Sequence, residues 1–338
     1  MKRIKWIDIA KGIGILLVVV GHSSAISIGG GYVGRWINSF HMPLFFVMSG
    51  LCFDARKPID RWGYCVRKLQ GLLWPYFGLS LVCALLSLVF YFGNDPSMGF
   101  ISQIGSALML HSRISPFWFL IVLLACELAY RGIYFSIKSR CAVLFVCCGF
   151  AAIGTCPSVP ATLPYCPILP KAFLGSLLFY CIGHFLRDLI IEKKFLRVRI
   201  ALVAIVALVI HSIAVLAFLK KKVDYSSGNL GVAWIYCLIA LLGTVGASAS
   251  AMLMDGCKWL GDILAYVGRN SIVLLAIHGH LGIFRVSWSK IINCPTWLLF
   301  ITEYAILVLV FWALSSRSCK IDLARHNVTH QCQLRAIC

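Results

Sequence analysis

The sequence predicts an all-α fold: a polytopic transmembrane bundle of about ten helices with both termini in the cytoplasm. Three observations carry this expectation. The 338 residues are 60% hydrophobic and 13% charged, where an ordinary soluble domain carries about 25% charged residues. Apolar stretches of about 17 to 25 residues, each long enough to cross a bilayer core, recur from one end to the other. These stretches are continuously apolar and do not alternate over about ten residues, which argues against a β-barrel.

The spans are expected near 12–29, 36–53, 70–93, 116–137, 141–158, 171–186, 200–218, 229–250, 271–288 and 296–315. Lys2, Arg3 and Lys5 lead into a segment carrying Lys11 with no small-residue cleavage site, so the first helix is expected to stay as an anchor. Most Lys and Arg residues fall in the N-terminus, the 54–69 loop, the 131–140 turn, the 187–199 loop, the 251–270 segment and the tail, which puts both termini inside. Lys220, Lys221 and Lys222 break this pattern, because they fall on the outer side. The connections 94–115 and 155–170 are also outer, the second carrying Pro157, Pro160, Pro164, Pro167 and Pro170. The 251–270 stretch, with Trp259, Leu260, Ile263 and Leu264, predicts an amphipathic helix at the cytoplasmic interface. Residues 1–315 thus form a membrane domain and 316–338 a polar cytoplasmic tail.

Composition also narrows the function. The net charge of +19 is spread between apolar stretches and not gathered in a soluble basic region, so it reports membrane topology and not nucleic-acid binding. Most of the sixteen cysteines lie inside apolar runs, where free thiols pack as small hydrophobes. Cys156 and Cys166 share an outer loop and form the one candidate disulfide. No cysteine pair has zinc-ligand spacing, and no metal is expected. No internal repeat supports an inverted-repeat transporter.

Ionisable residues inside spans cost about 2.5–3.5 kcal/mol for a central Arg, Lys or Asp, so each is a functional candidate. They are Lys11, His22, His41, Glu127, His184, His211, His278, His280 and Glu303. Lys11 and His22 are eleven residues apart, which returns a helix to nearly the same face about 16 Å further along. A cation at the cytoplasmic mouth and an imidazole deep in the membrane suit coenzyme A, whose phosphates lie far from its thioester. A neutral imidazole can then take the proton of an attacking alcohol. The alternative is a snorkelling lysine and a histidine bonded to a neighbouring helix. Asp8, one turn before Lys11, is placed to pair with it.

On the second helix, HMPLFFVMSG at 41–50 opens with His41 and a proline and ends in Ser49 and Gly50, small residues that permit close approach of a helix or a ligand. Arg56, Lys57, Arg61, Arg67 and Lys68 follow, either a phosphate-binding cluster or an ordinary basic cytoplasmic loop.

These segments together resemble a known family. IDIAKGIGILLVVVGHS at 7–23 is similar to the opening of the membrane acyltransferase-3 family, with its basic residue, ten residues, then histidine. FHMPLFFVMSG at 40–50, RKLQGLLWPYF at 67–77, PFWFLIVLL at 116–124 and NSIVLLAIH at 270–278 resemble its later motifs, in order, over residues 5 to 315. The resemblance implies a ten-helix O-acyltransferase that takes acetyl or a related group from cytosolic acetyl-CoA or another acyl-CoA. The acceptor it implies is a hydroxyl of a carbohydrate, usually at the cell surface. Within the family the narrower likeness is to fucose 4-O-acetylase-like sugar O-acetyltransferases of the bacterial inner membrane.

Carried over by position, His22 is the catalytic histidine and Lys11 its basic partner. Lys11, Arg67, Lys68, Ser49 and Gly50 form the donor site. Gln70-Gly71 stands where relatives keep a second basic residue, a place Arg61 or Lys68 is expected to fill. His41, Trp118, Glu127, His278 and Glu303 are the candidates for the substrate side, with interhelical hydrogen bonding as the other use for Glu127, His278 and Glu303. His211, alone in an apolar helix, is expected to be structural. A polar-solute transporter or a non-catalytic membrane sensor is the alternative outside enzymology.

Overall fold

The computed structural model describes residues 3–22, 31–54, 61–90, 118–137, 139–163, 168–191, 195–275 and 278, and residues 305, 308, 309, 311 and 312. The described residues form ten helices and no sheet. In chain order these are α1 (Lys5–His22), α2 (Tyr32–Asn38), α3 (His41–Leu51), α4 (Arg61–Phe90), α5 (Trp118–Ser136), α6 (Arg140–Gly154), α7 (Pro170–Ile191), α8 (Arg197–Phe218), α9 (Ala233–Met254) and α10 (Lys258–Arg269). The chain is a multi-pass membrane protein. Among the described residues, α5, α7, α8 and α9 are each long and apolar enough to cross a bilayer. The expected spans 271–288 and 296–315 fall largely outside the described residues, as do the 94–115 connection, Cys166 and the tail.

Three boundaries differ from the sequence expectation, each for a physical reason. The span expected at 36–53 is two helices, α2 and α3, joined at Ser39 and Phe40. Pro43 has no N–H to give to the Ser39 carbonyl and its ring would clash there, so it fits only in the first turn of a new helix. The basic segment expected as a 54–69 loop is helical from Arg61 onward, since Lys and Arg are good helix formers. The first helix begins at Lys5 and not at residue 12. Its early turns run along α10, α9 and α3, and that packing outweighs their charges.

The centre of the bundle is α3, in which every residue except Ser49 is buried. A short helix apolar on all sides needs protein on all sides, and α1, α7 and α9 supply it. Contact with α7 is close because glycines face backbone from both directions. A Cβ on Gly50 would run into the Tyr180 carbonyl, and one on Gly183 into the Val47 carbonyl. Small residues drive association in lipid for this reason, since backbones meet and dispersion contacts multiply.

The amphipathic segment is present as α10, packed along α1. Its glycine and alanine face, with Leu264, meets α1, where Gly268 lies against the Asp8 backbone. Trp259, Leu260 and Ile263 are exposed and are available to the interface. On the far side, α8 leaves Leu202, Ile205, Val209, Ile213 and Leu216 exposed, an apolar surface suited to contact with lipid.

Candidate active site

His22 and His41 reach the same cavity because α1 and α3 run antiparallel: Gly21 faces Ile37 and Asn38, while Gly14 faces Phe45. The cavity holds about 580 Å³, within the usual size range for small-molecule sites. By the same register Lys11 falls level with the Ser49 end of α3, at the other end of the pair. His41 and Ser49, eight residues apart, are separated by about 12 Å along the helix.

Three histidines are held alike. Nδ1 of His22 lies 2.9 Å from the Val18 carbonyl, Nδ1 of His41 2.9 Å from that of Ile37, and Nδ1 of His278 3.2 Å from that of Leu274. A carbonyl oxygen only accepts, so each neutral ring carries its proton on Nδ1 and its lone pair on Nε2. His22 is exposed to the cavity, whereas His41 and His278 are buried. The rings of His22 and His278 meet edge to face with centroids 5.2 Å apart.

The opposite wall comes from α5 and from the 219–232 connection between α8 and α9. Trp118, half-buried at the start of α5, lies nearly parallel to Tyr225 with centroids 6.4 Å apart. Lys222, Asp224, Ser226 and Ser227 also line the cavity, as does Asn38 at the end of α2. Sequence reasoning assigned His22, His41, Trp118 and His278 to the reaction but missed all of these. The one available signal was Lys220–Lys222, the cluster that broke the topology rule. Lys222 makes no ion pair among the described residues. Burial raises the Asp224 carboxyl, but hydrogen bonds from Ser226 and Ser227 outweigh it and hold the group below its ordinary range.

A second, smaller cavity of about 120 Å³ lies at the Ser49 end of α3, bordered by Ser49, Tyr64, Lys68, Glu127 and Tyr180. Here two residues that the sequence assigned to different substrates form one pair: Lys68 Nζ lies 2.8 Å from each carboxylate oxygen of the buried Glu127 and donates to Oε1. The Arg131 guanidinium stacks on Tyr64 at 4.2 Å from its centroid. Gly50 is taken up by the contact with α7 described above. Arg61 and Arg67 lie on α4, and Glu303 is outside the described residues.

At the mouth of α1, Asp8 accepts from Arg3 at 2.8 Å and not from Lys11, and Lys5 pairs with Asp262 of α10. Lys11 is half-buried and makes no ion pair among the described residues. His211, as expected, is structural: Nδ1 donates to the Ile239 carbonyl at 2.9 Å and Nε2 lies 3.3 Å from Ser39 Oγ. His184 Nδ1 shares a hydrogen bond with the Tyr130 hydroxyl at 2.7 Å inside a cage of aromatic rings. Among the described residues no group of three His, Cys, Asp or Glu side chains is placed to hold a metal ion.

A family profile described as an acyltransferase domain, Acyl_transf_3, matches residues 4–316. The nodulation protein NolL of Mesorhizobium japonicum is 25% identical over 342 residues, 92% of this chain and 85% of that protein. NolL of Sinorhizobium fredii is 28% identical over 200 residues, 55% of this chain and about half (49%) of that protein. No solved structure gives a significant match.

Proposed function

Since this chain belongs to the membrane acyltransferase-3 family and is an O-acyltransferase, we propose that it moves an acetyl group from cytosolic acetyl-CoA to a carbohydrate hydroxyl, with His22 as general base. The observation that carries this reading is the His22 hydrogen bond to Val18, which leaves Nε2 as the proton acceptor of a ring exposed to a cavity whose largely apolar wall carries a few polar side chains.

The acceptor hydroxyl gives its proton to His22 Nε2 as its oxygen attacks the thioester carbon. The resulting oxyanion collapses, the carbon–sulfur bond breaks, and the imidazolium returns the proton to the departing thiolate. Acetyl-CoA and alcohol become acetyl ester and coenzyme A, and the histidine ends neutral. Hydrogen-bonded bases of this kind contribute about 10²–10⁴-fold.

The donor end fits less simply. Phosphates need cations, and Lys68 already serves Glu127. Lys11, in register with Ser49, is the cation best placed for the donor, with Arg67 and Arg61 on α4 as further candidates. The acceptor fits the outer cavity, where an aromatic face and several hydroxyl-bonding groups suit a sugar. With basic segments inside, both termini are cytoplasmic and the protein sits in a plasma membrane, of the bacterial inner type.

The test is turnover of radiolabelled acetyl-CoA by protein in nanodiscs with a panel of sugars. His22→Ala is expected to abolish product while the protein stays folded. Transfer that persists in His22→Ala would remove His22 from the reaction.

A further inference from the structure

We infer that the turn 224–227 selects the acceptor, and that Ser226 and Ser227 recognise neutral neighbouring hydroxyls of a sugar by accepting their hydrogen bonds. This deepens the acyl-transfer reading and rests on it for the identity of the cavity.

The first ground is how the protons are committed. Asp224 Oδ1 accepts from the Ser226 hydroxyl at 2.6 Å and from its backbone N–H at 3.0 Å, and Oδ2 accepts from the Ser227 hydroxyl at 2.8 Å. Both serine protons therefore point at one carboxylate. A hydroxyl has one proton and two lone pairs, so each Oγ can offer the cavity only acceptor capacity. Donation to a charged group also polarises the oxygen and strengthens the next bond in the chain. Sugar hydroxyls, as donors, complement such a pair.

The second ground is rigidity. Asp224 and Asn229 form a two-residue bridge, each backbone N–H donating to the other's carbonyl at 3.1 and 3.0 Å. Gly228 turns the chain at φ +69° and rests on the Lys171 side chain, where a Cβ would collide. Between the two serines and the bundle, Tyr225 is buried, and its hydroxyl lies 3.1 Å from Ser176 Oγ on α7. Its ring stacks with those of Phe46 and Trp118. The acceptor groups are thus held in place before any ligand arrives, which reduces the ordering cost of binding.

The third ground is charge. Among the described lining residues, Lys222 and Asp224 are one cation and one anion. The side chains that line the wall thus cancel in charge, and recognition at the turn itself falls to hydroxyl placement. A site whose acceptors are fixed in place favours sugars that set a hydroxyl against them over analogues that lack it.

The experiment compares wild type with the Ser226→Ala/Ser227→Ala variant in nanodiscs. Acetyl transfer is measured to methyl glycosides of glucose, galactose and fucose, to their monodeoxy analogues and to the matching uronates. For the best glycoside, the variant is expected to raise KM by about tenfold while kcat and the KM for acetyl-CoA stay within about twofold. One monodeoxy analogue should lose affinity on wild type and not on the variant. An unchanged KM, or a uronate preferred over its neutral parent by wild type, overturns the inference. If wild type turns over no acetyl-CoA, the acyl-transfer reading fails by itself. Glycoside binding by calorimetry then decides the inference without turnover: binding lost in the variant upholds it, and no binding to wild type overturns it. The single variants Ser226→Ala and Ser227→Ala replace the double variant if the latter does not fold.

Discussion

Lys68 Nζ stands 2.8 Å from the carboxylate of Glu127, joining α4 to α5 across a small cavity. The lysine side chain is partly exposed and the carboxylate is buried, so the two halves of the pair are unequal. Removing the lysine strands a buried charge, whereas removing the glutamate leaves a cation that can reach water.

Lys68→Ala is accordingly expected to destabilise the protein by about 1–3 kcal/mol, and Glu127→Ala by less. Replacing both, as Lys68→Met with Glu127→Leu, should recover most of the loss. Thermal unfolding in a fixed detergent measures all three, and equal losses for the two single variants would contradict the assignment.

Gly50→Ala and Gly183→Ala place a methyl against the backbone of the facing helix. Each is expected to cost about 1–3 kcal/mol by overpacking. Because α3 carries His41 at its other end, the loss should extend to activity. Gly71→Ala, where a Cβ meets nothing, is the control and should be silent in both assays.

Trp118 offers its ring to the cavity beside Tyr225. Trp118→Ala is expected to raise the acceptor KM by about tenfold, equivalent to about 1.4 kcal/mol, with the acetyl-CoA KM unchanged. Trp118→Phe should recover part of it. Steady-state kinetics with each substrate varied in turn separates the two effects.

The hydrogen bonds to Asp224 predict a pH dependence of the turn. A carboxyl held below its ordinary range in the folded protein stabilises at pH above its unfolded value, and that stability is lost as pH falls through the depressed folded value. Protection factors of the amides at residues 224–229, exchange rates taken relative to the intrinsic rate at each pH, are therefore expected to be high at neutral pH and to fall below about pH 4. Asp224→Asn should show lower protection factors at neutral pH and little further change in them on acidification.

The membrane class, the apolar elements and the catalytic candidates were legible in the sequence. Charge is scarce enough, and apolar runs long enough, that solvent chemistry alone dictates a helical membrane protein. Lys11 and His22 stood out because ionisable groups are costly there, and the spacing placed them on one helix stripe. The break between α2 and α3 was half visible, since Pro43 announced a helix start without saying that 36–53 would divide. Gly50 was read as open to helix or ligand, and only Tyr180 opposite it shows that a helix takes the place.

What the sequence by itself determined is a set of local properties: which segments prefer lipid, where helices start, and which polar side chains need a reason to be buried. What the tertiary structure decided is partnership. Lys68 with Glu127, Asp8 with Arg3, and His22 with the Asp224 turn join positions 59, 5 and 202 residues apart, the first and last brought together only by helix packing. No periodicity encodes such pairs, because they depend on which helix faces which and at what height. The physical reason is that burial can be read one residue at a time, whereas a hydrogen bond or a shared cavity requires two surfaces to meet.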